Sequence, residues 1–436
     1  MSINFTMSDD QRRLQSTVRE FSQQVLKPYI DPADREPDPM KAFAMTKEPY
    51  IEAYKTGIAM SMLPGEYGGS SESFLNFTIA AEEICAVDPG FACTVLCNGL
   101  GLLPIAWYGT DEQKHKWLDA ATSDPSGTFL GGWTASEPPG AGSGTANFDI
   151  DLPSPAGMGL IAERKGDVYV INGLKYWPSS PGWDGQGVDL QTVICRTNTK
   201  VGGTKGLSAF IVERGTPGVS YNFIDTDGHR TAANTEVIFE DAEIPAANLL
   251  PGGEGNGDLV INRNFGWSGA IAAIASVGVA RTAYEKALSF AKNNSAGSGG
   301  PIMRFQNVGY VLGDMAAKIE MGRVFSLRAA DYLDKHDQHN EYIGAQAKVQ
   351  VTEMMFDVVY KCMQIVGVNA LRKEDNGFGR LLRDAALLPI YDGGNMGMQR
   401  RRIHGVMADP GFDPYAIMED KMVTFTKDME TIGTIQ

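Results

Sequence analysis

The order of patterns along the chain predicts an α+β protein in three parts. These are an N-terminal helical domain (1–127), a middle antiparallel β domain (128–250) and a C-terminal four-helix bundle (251–436). Three observations carry this. Apolar residues recur at helical spacing through the first part. The pattern shifts near Thr128 to short β-rich runs bounded by Gly, Pro and Thr. Long helical patterns return from about Asn256. Segregated runs of helix and strand indicate α+β rather than alternating α/β. No G-x-G-x-x-G follows a strand, so the dinucleotide fingerprint of a Rossmann unit is missing.

Each element has its own justification. Ser8-Asp9-Asp10-Gln11 fits a capping box, with Leu14, Val18, Phe21 and Val25 at helical spacing after it and Pro28 as the expected stop. Helical patterns recur at Glu48–Tyr54, Phe77–Val87 and Asp111–Ala121. In the middle part, "GDVYVINGLKYW" (166–177) alternates and carries a hairpin signal at Asn172-Gly173. "LQTVICRT" (190–197), "GLSAFIVER" (206–214) and "TEVIFEDAEIP" (235–245) read as strands. Helices are expected over about 258–292, 306–334, 342–366 and 395–408.

Composition narrows the function. The chain has 436 residues and a net charge of −15, which disfavours nucleic-acid and anionic-membrane surfaces, since both need clustered Lys and Arg. The N-terminus shows neither a basic nor an apolar leader region. The run Trp267 to Ala280 reads as a buried core helix, being shorter than the ~18 residues a span requires. Five cysteines (85, 93, 97, 195 and 362) form no CxxC and read as reduced thiols of a cytoplasmic protein. No metal-ligand pattern is present: His336 and His339 lie in a polar run without an HExxH arrangement.

Four stretches are compatible with chemistry. "WTASEPPGAGSGTANF" (133–148) offers backbone N–H groups and small hydroxyls to phosphates and a polar ring edge; it reads equally as a surface loop. In "KYWPSSPGWDG" (175–185), Trp177 is suited to stack on a flat cofactor and Ser179 to bond a ring nitrogen; a buried strand-end Trp is the plain alternative. Gln364 and the Gly367 turn suit another polar ligand group or a helix C-cap. In "LLPIYDGGNMGMQRRR" (387–402), Asp392 between Tyr391 and two glycines reads as a solvated turn or as a base aimed at a substrate.

Taken together, these motifs resemble the acyl-CoA dehydrogenase superfamily of flavoproteins over nearly the whole chain. The resemblance rests on "MLPGEYGGSSESF" (62–74), "YGTDEQKHKWL" (108–118), "SEPPGAGS" (136–143), "VIFEDAEIP", "QNVGYVLGDMAAKIEMGR" (306–323) and "LLRDAALLPIYDGGN". It implies a non-covalent FAD and a homotetramer. Trp133, Ala135, Ser136, Gly142, Ser143, Trp177 and Ser179 would line the flavin. Gln364 and Gly367 would hold its ADP half across a subunit interface, with Arg304 as the candidate for the inter-subunit contact. Gly394 and Asn395 would lie under the ring.

The common acyl-CoA dehydrogenases carry a glutamate in "YEGT" where this chain has "YDGG". The exchange, with "DGGN" and "WPSSPGWDGQGVDL", resembles the nitroalkane oxidase branch, in which an aspartate takes a proton from the carbon bearing the nitro group. Asp392 would be that base and Ser268, in "NFGWSGAIAA", its serine neighbour. Gln399 stands where that branch has an arginine seven residues after the aspartate, with Arg400, Arg401 and Arg402 just beyond. Bulk expected around the base (Phe265, Trp267, Met396, Met398 and Trp183) favours a small substrate. The retained GAGS (140–143) favours the alternative, an acyl-CoA dehydrogenase that uses Asp as base and passes electrons to an electron-transfer flavoprotein.

Overall fold

The computed structural model describes residues 6–70, 73–138, 158–179, 181–336, 341–373 and 377–423. Among these residues seven helices come first: α1 (Asp9–Phe21), α2 (Lys27–Arg35), α3 (Pro39–Ala44), α4 (Lys47–Lys55), α5 (Phe74–Cys85), α6 (Pro89–Tyr108) and α7 (Asp111–Thr122). The Ser8–Gln11 capping box forms as expected, with reciprocal bonds of 3.1 and 3.0 Å. Pro28 does not stop the chain. A π-helical turn at Ser22–Leu26 restarts the helix, so Pro28 falls in the first turn of α2, where a missing N–H costs nothing.

The middle sheet contains β1 (Gly131–Thr134), β2 (Ile161–Lys165), β3 (Val168–Ser179), β4 (Leu190–Arg196), β5 (Leu207–Glu213), β6 (Val219–Ile224) and β7 (Asn234–Pro245). Its order is β1-β4-β2-β3-β7-β6, with β5 also paired to β4. It is mixed rather than purely antiparallel, because β1 runs parallel to β4, Gly131 opposite Leu190. The Asn172-Gly173 hairpin does not form either. β3 passes straight through that pair as a bulge, and the Asn172 side chain bonds Asp241 of β7. The reversal sits instead at Gly166, whose φ of +67° suits a tight turn between β2 and β3.

The last part holds α8 (Gly257–Asn293), α9 (Gln306–Lys335), α10 (Glu341–Val366), α11 (Phe378–Leu387) and α12 (Arg400–Ala408). The backbones of α8 and α10 touch: a Cβ on Gly344 would lie 2.0 Å from Gly266 O, so no side chain fits there. Among the described residues two segments, Pro89–Tyr108 and Tyr342–Leu371, are long and apolar enough to cross a membrane by length and composition. The first, and not the Trp267–Ala280 run alone, is the apolar centre of the fold. Most of α6 is buried, and it is fixed to the sheet by Gly131 N to Asn98 Oδ1 (2.7 Å) and Thr192 Oγ1 to Gly101 O (2.6 Å).

Candidate active site

A cavity of about 470 Å³ lies where α6, the β1 and β3 ends, α8 and the turn after α11 converge. Its walls are mostly apolar: Leu96 and Leu100 from α6, Phe265 and Ile271 from α8, and Leu387 and Met398 from the α11–α12 connection. Polar groups enter at few points, chiefly Ser136, Ser179, Ser268 and Asp392. A larger cleft of about 1260 Å³ runs between α2, the end of α8 and α11. Two of its arginines are committed to neighbours, Arg383 to Asp34 and Arg380 to Asp88 and Asp384.

The turn that carries Asp392 is built from local bonds. Tyr391 N bonds Leu387 O at 3.0 Å, Asn395 N bonds Pro389 O at 2.9 Å, and Gln399 Nε2 bonds Asp392 O at 3.0 Å. Asp392 itself takes a left-handed conformation, φ +55°. For a non-glycine residue this is a sparsely populated and costly state, and such states cluster at functional sites. The turn faces the side chain into the cavity, while protein encloses it elsewhere. Among the described residues neither Asp392 Oδ2 nor Ser268 Oγ has a hydrogen-bond partner, though Ser268 lies near enough to favour the ionised carboxylate. Burial raises the proton affinity of Asp392 above its ordinary value; Lys348, Ser268 and Arg402 pull it down without cancelling the rise.

The opposite wall comes from the β domain. A fully buried ion pair between Lys175 Nζ and Glu137 Oε1 (3.0 Å), with Lys175 Nζ also on Ala135 O (2.7 Å), ties the segment after β1 to β3. Tyr176 N to Ser136 O (2.8 Å) completes that tie. β3 bulges between Tyr176 and Ser179, and Trp177 at the bulge has φ +74° and is 43% exposed. A large indole held in a strained conformation with an open face is a feature that a flat ligand would explain.

The expected site residues are therefore brought together in part. Trp133, Ala135, Ser136, Trp177, Ser179, Ser268, Asp392 and Gly394 all line the cavity. Gly142 and Ser143 lie outside the described residues. The Asn395 side chain turns away from the cavity and bonds Thr352 Oγ1 (3.0 Å) and Lys348 Nζ (3.0 Å). Arg304, Gln364 and Gly367 are exposed at the α8–α9 connection and the end of α10, away from this cavity. Of the bulk expected around the base, Phe265 and Met398 are in place. Trp267 packs on Phe74 and Trp107, Trp183 stacks on Phe43, and Met396 is 86% exposed.

Sequence reasoning missed two features. Tyr391, His229 and Cys93 form one cavity wall; the His229 and Tyr391 rings are edge-to-face and the Cys93 sulfur is 3.6 Å from His229 Nδ1. Burial lowers the His229 pKa to about 4, so this pair is neutral. Lys348 is fully buried behind the Asp392 turn. Its signal was a lone lysine in the helix-spaced small and apolar set Gly344, Val351 and Met355.

The fold and this cavity define a three-part α+β oxidoreductase of known kind. Family profiles for the "Acyl-CoA dehydrogenase, N-terminal domain", "middle domain" and "C-terminal domain" match residues 8–124, 133–242 and 255–408. The chain belongs to the acyl-CoA dehydrogenase family and is a flavin-dependent oxidoreductase whose cofactor is FAD. It is 30% identical to the nitroalkane oxidase of Fusarium oxysporum over 95% of this chain and 97% of that one. It is 32% identical to the cyclohex-1-ene-1-carbonyl-CoA dehydrogenase of Geobacter metallireducens over 78% of this chain and 84% of that one. Two solved nitroalkane oxidase structures superpose with a TM-score of 0.89 at 27% identity over 96% of this chain and 100% of theirs. One is an active-site aspartate-to-asparagine mutant crystallised with 1-nitrooctane, the other an active-site serine-to-alanine mutant crystallised with 1-nitrohexane.

The residues present fit the flavin. The cavity opens between the strained Trp177 and the Gly393-Gly394 turn, and two buried oxygen atoms, Asp392 Oδ2 and Ser268 Oγ, face it without partners.

Proposed function

We propose that this protein is an oxidase of small nitroalkanes in which Asp392 is the general base. The observation that carries the proposal is the Asp392 carboxylate itself: buried, incompletely paired, raised in proton affinity and aimed into a small apolar cavity. A general base works best when its pKa approaches the operating pH, and burial moves this aspartate that way.

The apolar walls from α6 and α8 seat the alkyl chain and exclude water. Asp392 takes a proton from the carbon bearing the nitro group, which is acidic enough that one carboxylate suffices. Ser268 orients the carboxylate and donates to it as it ionises. Trp133, Ala135, Ser136, Trp177 and Ser179 would hold the flavin against the substrate from the β-domain side. When bound, FAD would supply the two-electron oxidation and pass the electrons to O₂ as hydrogen peroxide, while one water adds to the oxidised carbon and nitrite leaves, giving an aldehyde or ketone. The solved nitroalkane oxidases support this reading through their active-site aspartate and serine. In that enzyme an arginine seven positions beyond an aspartate also has a role in the reaction. Here the corresponding count reaches Gln399, which bonds the Asp392 backbone, while Arg402 is the arginine that favours the ionised carboxylate.

A second reading is an acyl-CoA dehydrogenase with Asp392 as base and an electron-transfer flavoprotein as acceptor. The 32% identity to a CoA-thioester dehydrogenase favours it. Anaerobic mixing separates the two. Nitroethane or 1-nitropropane is expected to bleach the flavin, and admitted O₂ to yield nitrite and hydrogen peroxide, while butyryl-CoA and octanoyl-CoA leave the spectrum unchanged. Bleaching by an acyl-CoA but not by the nitroalkanes would replace the oxidase with the dehydrogenase.

We also propose a cytoplasmic homotetramer. The turn bearing Gly367 exposes Val368 (79%) and Leu371 (68%), an apolar pair that a second copy would cover. Light scattering after size-exclusion chromatography tests it, and a monomeric mass would remove it.

A further inference from the structure

Lys348 is completely buried on α10, yet among the described residues its ammonium makes no ion pair. Its nitrogen is held by two neutral oxygens, Leu388 O at 3.3 Å and Asn395 Oδ1 at 3.0 Å. These atoms bracket the Asp392 turn, one before it and one after. An unpaired ammonium in a protein interior is costly unless something repays its lost hydration. Packing does not demand a lysine there: Gly344 and Thr352 occupy the same face of α10 one turn either side.

The surrounding network directs that charge toward Asp392. Asn395 accepts from Lys348 and donates to Thr352 Oγ1 (3.0 Å) and Glu353 Oε1 (3.2 Å). Glu353 is already neutralised by Arg400 through two bonds of 2.9 and 3.0 Å. The Glu353 carboxylate is therefore spent, and the buried carboxylate still short of positive charge is Asp392. The groups that face Asp392 are Lys348 from α10, Arg402 from α12, Cys97 from α6, the Ser268 hydroxyl from α8 and its neighbour Tyr391. Cys97 and Tyr391 are pushed up by burial and stay neutral, so among the described residues the ionised carboxylate is balanced by Lys348 and Arg402.

We propose that Lys348 is a positioning residue for the reaction: it clamps both ends of the Asp392 turn and supplies, from behind, the buried positive charge that keeps the carboxylate available as a base. The inference rests on the reading of Asp392 as base for its catalytic meaning, but not for its physical content. The mutual influence of the two charges agrees with it: Lys348 favours ionised Asp392, and Asp392 is the first of the groups that favour charged Lys348, whose pKa burial lowers to about 8 even with their help.

The test reads the carboxyl directly in the FAD-loaded protein. Infrared difference spectra give the C=O stretch of protonated Asp392, identified as the band absent from Asp392→Asn. In Lys348→Met and in Lys348→Gln, which keeps a donor without the charge, the pH midpoint of that band should rise by about one unit or more. In Lys348→Arg it should stay within about half a unit. The midpoint of kcat/KM against pH should move in parallel. An unchanged band midpoint in both neutral variants overturns the proposal. So does an equal shift in Lys348→Arg, which would mark a packing effect, and so does loss of the fold in both neutral variants, which would make Lys348 scaffold. If Asp392→Asn turns over normally, the base reading fails, yet the band titration still decides whether Lys348 governs that carboxyl.

Discussion

Two acidic sites in this molecule, the buried Glu83 and the half-buried Asp392 with its enclosed Oδ2, behave oppositely. At the α5 end, Glu83 receives Arg281 through bonds of 2.9 and 2.7 Å and Arg19 through 2.9 and 2.8 Å. Its neighbour Glu82 receives Arg323 through two bonds of 2.9 Å. Burial pushes the Glu83 proton affinity up, but the two guanidiniums outweigh it and hold the carboxyl below its ordinary value. At Asp392 the same burial wins, because its two cations, Lys348 and Arg402, act by charge alone without a bidentate contact. Depth alone therefore does not mark a reactive carboxylate. The number of donors aimed at it decides whether it is a fastening between helices or a group free to take a proton.

The sharpest way to break this contrast is to remove the acid where it should react. Asp392→Asn keeps a residue type that tolerates the left-handed turn, so the fold and bound flavin should survive. Turnover should fall by about 10²–10⁴-fold, measured as nitrite release from nitroethane. In the unmodified protein kcat/KM should decline toward acid with a midpoint above the ordinary aspartate value of about 3.9, since the base must be ionised and its folded pKa is raised. A midpoint at or below that value would place Asp392 with Glu83 as a fastening.

The paired site should respond in stability. Glu83→Gln leaves Arg281 and Arg19 without their shared carboxylate and should cost about 3 kcal/mol at neutral pH, with turnover per folded molecule unchanged. The sign with pH follows from the lowered folded pKa. The stabilisation by Glu83 is present above the ordinary carboxylate range, so the gap between the two proteins should narrow as pH falls through the folded value. Denaturant midpoints at pH 7 and near pH 3 measure it.

Ser268→Ala probes the smaller asymmetry. A hydroxyl bonding a charged group is worth roughly 1.5 kcal/mol, so the expected loss is about tenfold in kcat/KM with little change in stability. A loss equal to that of Asp392→Asn would give Ser268 a share in the chemistry itself.

Much of this contrast was legible in the sequence and part was not. The capping box at Ser8, the long C-terminal helices and the Asp392–Gly393–Gly394 turn follow from local rules, which is why they appear where expected. The bulge at Asn172-Gly173 did not, because a tertiary partner, Asp241 of β7, took the asparagine that a hairpin would have used. Local signals also misplaced Trp183 and Trp267. Trp267 is adjacent in sequence to Ser268, but on a helix a neighbour in sequence points to another side, and Trp183 lies in a turn four residues beyond the end of β3, stacked on Phe43. Lys348 was invisible for a related reason: charge pattern marks lysines as solvated, and only the packing of α8 on α10 through Gly344 buries this one.

The smallest predicted effect separates backbone strain from its consequence at the site. Gly393 and Gly166 share nearly the same conformation, with φ of +67° at both. An alanine in that region costs about 1–2 kcal/mol from its own Cβ and carbonyl. At Gly166, in the β2–β3 turn, nothing lies within 4 Å of the added carbon, so Gly166→Ala should show that cost alone. At Gly393 the carbon would sit 2.7 Å from Met398 Sδ and 3.1 Å from Gln399 Nε2. Met398 is flexible and yields easily, but Gln399 holds the Asp392 carbonyl and is itself fully buried. Gly393→Ala should therefore match Gly166→Ala in denaturant midpoint to within about 1 kcal/mol and differ from it in catalysis, with kcat/KM for nitroethane lowered about three- to tenfold. Equal activity in the two variants would mean that the turn tolerates a shifted Gln399, and that the position of the Asp392 carboxylate is set from the α10 side instead.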